Sequence, residues 1–444
     1  MLGQRIKSYA LNQTGQVPRY TSYPTAPHFI RDPEQAVREY KNGLDHIQDG
    51  EELSLYIHIP FCQKLCWYCG CNTNISMKYE PVESYTNRLI REIENIAWAI
   101  NVQTKIKHIH FGGGSPSLLK IKEFQDIMRV IRENFTLSPD VEIAMEIDPR
   151  TVTEARVWAY AKEGINRVSI GVQDFNKKTL KAVNRPQPYH VTYQALQWFR
   201  EYGIDNINID LMYGLPHQTE QTICETIEKV ASLNPDRVAL FAYAHVPWMK
   251  KHMNQIKQED LPDSESRFDL FNIASKELEA RGMMPIGIDH FAKPEDELCQ
   301  AYKNKTMRRN FQGYTTDTSE TLLAFGASSI SKFRHAYIQN YTEVSNYKSQ
   351  DHAAQKFCNI TLQHTQVSDL IQELMCYMNV KIPEGIEADL EMLSELQKQG
   401  IIKINNGHLT IEPEARQLVR IVCAAFDPEY QKVKDKQPRY AKAV

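Results

Sequence analysis

Between about Leu53 and Ile288, six short β-rich runs alternate with amphipathic helical stretches, and this alternation leaves few folds open. A strand that returns through a helix comes back parallel to its predecessor, so repeated units build a parallel sheet covered by helices. The strands are predicted at Leu53-Ile59, Ile106-Phe111, Val141-Glu146, Arg167-Val172, Asn206-Leu211 and Arg237-Tyr243. A helix follows each. One is Val82-Ile100, which sets Leu89, Ile93, Ile96 and Ile100 on one face. Thr151-Val152-Thr153-Glu154 reads as a capping box opening another.

Strands buried between helix layers should be apolar on both faces. Here the alternate positions are polar in strand after strand: Tyr56 and His58; His108 and His110; Glu142 and Glu146; Arg167 and Ser169; Asn206, Asn208 and Asp210. Ile57 and Ile59, Ile143 and Met145, and Ile207 and Ile209 are the partners expected to face helices. Polar residues satisfying one another would account for any single case. Repetition over five strands points instead to a sheet curled around a polar space. Six units rather than eight imply an incomplete barrel with a side opening, suited to a bulky substrate.

The chain is long enough for a large core plus an appendage, at 444 residues of which 42% are hydrophobic. Residues 1–50 form an N-terminal extension, 51–290 the barrel, 291–360 a connecting segment contributing to the site, and 361–444 a C-terminal domain. That last region reads helix, helix, a hairpin at Asn405-Asn406-Gly407 and a further helix from Pro413. It is small, mostly helical and winged-helix-like, expected to serve as a packing module. With 52 Lys and Arg against 55 Asp and Glu, the formal charge of -3 offers no basic surplus for nucleic acid. Met1 to Gln16 lacks an apolar signal region and no stretch suffices to span a membrane, so a cytoplasmic protein is expected.

Four of the nine cysteines fall between Cys62 and Cys71, which is metal-site clustering rather than a disulfide framework. Cys62, Cys66 and Cys69 occupy the loop after the first strand, at its C-terminal end. Three thiolates so spaced can ligate three irons of a 4Fe-4S cluster and leave the fourth iron open. Structural zinc would need a fourth ligand, commonly from a second cysteine pair, and a redox CxxC would leave Cys62 idle. Cys71 is read as a non-ligand. The remaining five cysteines read as buried or inert thiols. After the second strand, Gly112-Gly113-Gly114 allows close backbone approach to a ligand and fits no phosphate-binding fingerprint. At further strand ends, Glu146 and Asp210 can accept from hydroxyl or amino groups, Gln173 can bridge, and Arg185 can pair a carboxylate.

The run Tyr56-Ile57-His58-Ile59-Pro60-Phe61-Cys62, continued by Cys69-Gly70-Cys71-Asn72, resembles the signature of radical S-adenosylmethionine (SAM) enzymes. The form is that of the oxygen-independent coproporphyrinogen III oxidases. The resemblance extends to Pro18-Arg19-Tyr20-Thr21-Ser22-Tyr23-Pro24-Thr25, Gly171-Val172-Gln173-Asp174-Phe175, Asn208-Ile209-Asp210-Leu211 and Asn310-Phe311-Gln312-Gly313-Tyr314-Thr315-Thr316. It implies an α/β fold, a partial (β/α)6 TIM-like barrel, with a 4Fe-4S cluster on Cys62, Cys66 and Cys69. It implies SAM, as two molecules, with contacts falling on Tyr56, Tyr68, Gly113, Gly114, Ser115, Glu146, Gln173, Arg185, Asp210, Ala244 and Ile330. The implied reaction is decarboxylation of two propionates of coproporphyrinogen III to vinyl groups, giving protoporphyrinogen IX in haem synthesis. A 5′-deoxyadenosyl radical initiates it, and no side-chain acid or base is required.

A porphyrinogen substrate, a donor such as a flavodoxin or ferredoxin, and a monomer are the expected partners and state. Four propionates call for cations at the mouth, and Arg19 and Gln312 are the candidates there. Departures from the family pattern are Tyr68 where Phe is usual, Ser115 and Ser117 in place of threonines, and a segment Gln363 to Met378 without the basic residues that precede Leu374-Met375-Cys376. The alternative is a haem-handling relative, either a chaperone or a haem-degrading radical SAM enzyme. Such chaperones generally lack the Cys-Gly-Cys-Asn ending and the Pro-Arg-Tyr-Thr string, both of which stand here.

Overall fold

The computed structural model describes residues 2–12, 16–432 and 434, and expectations for residues 1, 13–15, 433 and 435–444 lie outside the described residues. All six strands form: β1 (Glu52–Ile59), β2 (Lys105–Gly113), β3 (Thr136–Ile147), β4 (Arg167–Gln173), β5 (Asn206–Tyr213) and β6 (Arg237–Ala242). They lie side by side in chain order, each adjacent pair parallel. Between β1 and β2 runs the helix Glu80–Ala99, with Leu89 and Ile93 fully buried. Ile57, Ile59, Ile143, Met145, Ile207 and Ile209 all lie in the main core, as the alternation requires.

A seventh parallel strand, β7 (Thr321–Phe325), pairs with the free side of β1. Sequence reading left it out because a five-residue buried run shows neither alternation nor a crossover helix of its own. Antiparallel strands continue the sheet on both flanks: Ile330–Lys332, Ala336–Asn340, Ala354–Asn359 and Ile30–Arg31 beyond β7, and His290–Ala292 and Met284–Ile286 beyond β6. The result is a mixed α/β fold on an open 13-stranded sheet with a parallel centre.

The capping box at Thr151 does not form. That helix runs Glu154–Lys162 with Thr153 at its N-cap and no side-chain cap bond. Thr151 is drawn elsewhere, because its hydroxyl donates to the Asp148 carbonyl at 2.9 Å and contacts Ser117 Oγ at 2.9 Å. The hairpin forms as expected, joining Ile402–Asn405 to His408–Ile411, with Asn406 and Gly407 both at positive φ, 50° and 75°.

The first fifty residues divide between two cores. Ile6, Ala10, Val17, Tyr20 and Tyr23 pack with the C-terminal helices, where the Tyr20 and Tyr23 hydroxyls donate to Asp427 at 3.0 and 3.1 Å. Ala36, Tyr40, Leu44 and Ile47 pack with the sheet. Among the described residues, no helix is long and apolar enough to cross a membrane.

Candidate active site

The polar face of the strands separates into two levels. At the lower level, Arg167 donates from Nε to Glu142 at 2.6 Å and from Nη2 to Glu297 at 3.0 Å. Arg237 meets Asp296 at 2.8 Å. His108 stands between Glu142, 3.9 Å away, and Asp317, 3.7 Å away. Here His108, Glu142 and Arg167 are engaged with one another rather than lining free space. Burial opposes ionisation of Glu142, but His108, Arg167 and Arg237 hold its carboxyl far below the usual range.

Above this level, toward the C-terminal strand ends, the polar side chains bind backbone and hydroxyls. Tyr56 and His110 stack at 5.9 Å, and Tyr56 OH lies 3.0 Å from His58 Nδ1. Glu146 accepts from the Gly113 N–H at 3.0 Å and lies 3.4 Å from His110 Nε2. Burial works against its ionisation, yet His110 and the Gly113 N–H keep it below the ordinary carboxylate range. The glycine loop is dictated by these neighbours. A Cβ on Gly112 would come within 2.9 Å of Glu146 and Tyr56, one on Gly113 within 2.6 Å of the His58 ring, and one on Gly114 within 2.8 Å of the Phe61 backbone. Gly113 also holds φ +117°, which an L side chain rarely adopts. Ser115 is buried and joins Ser117 at 3.0 Å.

The cysteine loop is strapped to its surroundings through backbone atoms. The Trp67 N–H donates to the Val183 carbonyl at 3.0 Å and Asn184 donates to the Leu65 carbonyl at 2.8 Å. His252 Nε2 meets the Cys69 carbonyl at 2.9 Å, and Lys250 donates to the Cys71 carbonyl at 2.9 Å. Cys66 is buried, with Cys62 and Cys69 partly so. Two guanidiniums face the Cys66 sulfur: Arg185 at 3.5 Å and Arg150 at 3.7 Å. Arg185 also donates to the Gly171 carbonyl at 2.5 Å and pairs Asp148 at 3.6 Å, while its buried Nε lacks a partner. The carboxylate paired by Arg185 is thus in the chain. Asp148 and Arg150 are site residues that sequence reading missed, although an Asp-Pro-Arg run closing the third strand is the same strand-end signal used elsewhere.

Among the described residues, no three His, Cys, Asp or Glu side chains converge as a chelate for one metal ion. The fit to a cluster is therefore judged on charge. Burial and then the sulfurs of Cys69 and Cys66 push the Cys62 thiol up to about 12. A hydrogen bond from the Cys71 side chain, opposed by burial, pulls Cys69 down to about 6. Three mutually repelling thiolates are tolerable only with positive charge among them, and the guanidiniums beside Cys66 compensate the anionic site from outside. These residues fit an iron-sulfur cluster held by three thiolates.

On the adjoining strands, Gln173 takes φ +71° at the end of β4. Asp210 accepts from Ser169 at 2.9 Å and Asn208 at 2.7 Å, and burial pushes its carboxyl up to about 6. Tyr68 is partly buried, and burial pushes its hydroxyl well above the usual range. Ala244 follows β6, partly exposed. Ile330 stands apart from this network, packed against a small cluster of Phe29, Tyr337 and Cys358, although Ser328 two residues earlier reaches His58 at 3.4 Å. Arg19 is exposed, and Gln312 turns the short hairpin Arg308–Asn310 and Gly313–Thr315.

A cysteine loop and a glycine loop on neighbouring strand ends of a parallel sheet define a radical SAM site, and the Radical SAM superfamily matches residues 56–230. An oxygen-independent coproporphyrinogen III oxidase of Bradyrhizobium diazoefficiens is 39% identical, covering 93% of this chain and 94% of that protein. The enzyme of the same description from Escherichia coli K12 is 35% identical, with 96% of each chain covered. The solved structure of the E. coli coproporphyrinogen III oxidase, a radical SAM enzyme, superposes with a TM-score of 0.86 at 34% identity, covering 93% of this chain and all of that one. The chain belongs to the oxygen-independent coproporphyrinogen III oxidase family.

Proposed function

We propose that this protein decarboxylates two propionate side chains of coproporphyrinogen III to vinyl groups without oxygen, yielding protoporphyrinogen IX for haem synthesis. The observation that carries the reading is the three-cysteine loop whose Cys66 sulfur faces Arg185 and Arg150, beside the Glu146–Gly113 clasp. Cys62, Cys66 and Cys69 would hold a 4Fe-4S cluster, which with SAM supplies a 5′-deoxyadenosyl radical. Tyr56, Tyr68, Gly113, Gly114, Ser115, Glu146, Gln173, Arg185, Asp210, Ala244 and Ile330 are assigned to SAM. Glu146 and Asp210 are separate carboxylate centres with their own donors, which supports two bound molecules. The ionised Glu146 accepts hydrogen bonds from hydroxyl or amino groups, while buried walls around Cys66 exclude water from the reactive intermediate.

The architecture assigned to this activity is a partial barrel over 51–290, with 1–50 and 291–360 closing over it and 361–444 a winged-helix-like packing module. We assign the protein to the cytoplasm as a monomer reduced by a flavodoxin or ferredoxin. The test is anaerobic reconstitution with iron and sulfide, followed by SAM, a reductant and coproporphyrinogen III. Formation of 5′-deoxyadenosine with release of carbon dioxide and a divinyl product is expected. Stoichiometric haem binding without decarboxylation would overturn the reading in favour of a carrier.

A further inference from the structure

Arg309 is a buried cation with unspent donors. Its side chain is only 9% exposed, and neither Nε nor Nη1 has a hydrogen-bond partner. The guanidinium lies over the Tyr314 ring, 4.6 Å from its centre. Tyr314 is itself fixed, because its hydroxyl donates to the Met375 carbonyl at 2.7 Å and accepts from the Ile288 N–H at 2.9 Å. The ion-pair partner of Arg309, Asp289, stands 3.9 Å away and is already bound by His290 Nδ1 at 2.7 Å. Leaving charged donors dry and unmatched costs more than most side-chain interactions return, so such a group is expected to meet an anion in the working protein.

The surroundings reinforce this. Burial lowers Arg420 to about 10, and the charges of Arg19 and Arg309 push the same way. Arg416, clamped on the Gly287 carbonyl at 2.6 and 3.1 Å, adds a further positive charge beside Asp289. The segment therefore concentrates guanidiniums from the N-terminal extension, the Arg308–Asn310 strand and the C-terminal helices. Its place is also informative. His290 contacts Tyr314 edge-on at 5.1 Å, its strand pairs with β6, and its charge bears on Asp210. His290 thus links the Tyr314–Arg309 pair to the second carboxylate centre.

We infer that Arg309 anchors a propionate carboxylate of the tetrapyrrole through its unspent donors, with Arg19 and Arg420 supplying the surrounding positive field. This rests on the porphyrinogen reading of the site. A planar fork held against an aromatic face suits two-point recognition of a carboxylate, which a lysine cannot reproduce.

The test compares reconstituted wild-type, Arg309→Met and Arg309→Lys proteins, matched for iron content and for cluster absorbance. KM for coproporphyrinogen III should rise by about tenfold or more in Arg309→Met, with Arg309→Lys between it and wild type. Binding of coproporphyrin III and of its neutral tetra-amide, followed by fluorescence quenching, separates recognition from folding. The preference of wild type for the acid should shrink by the same factor in Arg309→Met. Equal losses for acid and amide, or an unchanged KM, would overturn the inference. So would a loss of affinity for SAM in place of porphyrin, which would give Arg309 to the cofactor carboxylate. Absence of wild-type turnover would instead sink the porphyrinogen reading itself.

Discussion

The two levels of the polar strand face differ in how their charges are compensated. Below, Arg167 and Arg237 each have a carboxylate within 3.0 Å, and His108 stands between the Glu142 that Arg167 holds and Asp317. Above, the Cys66 sulfur faces two guanidiniums, Asp210 is pushed toward its neutral form, and Arg309 has only a distant, shared carboxylate. A plug and a site can use the same residue types on the same strands. What separates them is direct contact with an opposite charge: Arg167 and Arg237 each keep one buried nitrogen without a partner but sit against a carboxylate, whereas Arg309 does not, and a charge without such contact is the one a ligand stabilises.

The comparison predicts different failures. Cys66→Ala should remove iron and reduce 5′-deoxyadenosine formation to background after reconstitution, with iron analysis and product chromatography as readouts. Retention of full iron content would show that this cysteine is no ligand. Glu142→Ala should do the opposite. It strips Arg167 of its buried partner, at a cost of roughly 3 kcal/mol in denaturant unfolding, the low end for such pairs because Glu297 remains. Iron bound per folded molecule should stay at the wild-type value. Loss of iron without loss of stability would merge the two levels into one site.

Much of this was legible in the sequence, for local reasons. The β1 to β6 alternation and the cysteine spacing are properties of short windows, and both determine where the site stands. The lower plug was not legible, since His108, Glu142 and Arg167 alternate just as Tyr56, Glu146 and Asp210 do. Only the partners brought in from beyond the six strands, Asp296, Glu297 and Asp317, decide which polar residues are spent in the plug. β7 was missed because Thr321–Phe325 is short and uniformly buried. Arg309 was quoted in no motif, though it immediately precedes Asn310. Its importance comes from Tyr314 and Asp289 packing around it, which no spacing reveals. Thr151 illustrates the converse, a local capping signal overridden by a tertiary partner, Ser117.

His58 offers a finer probe of the upper level. Its ring is buried beside Tyr56, Ser328 and the Asn72 carbonyl, and burial lowers it to about 4, against smaller opposing effects of Asn72 and Glu146. An unfolded chain protonates this residue near pH 6.5, so between that pH and about 4 the unfolded state binds the additional proton. Stability from His58 is therefore full above pH 6.5 and is lost as pH falls through the window, amounting to roughly 3 kcal/mol at its foot. His58→Gln, which cannot titrate but can still meet the Tyr56 hydroxyl, should flatten the acid limb by that amount relative to wild type. Urea unfolding at pH 7 and pH 4.5 measures the difference. Parallel curves for the two proteins would mean that water or an anion already reaches His58, and the upper level would then be less dry than its neighbours imply.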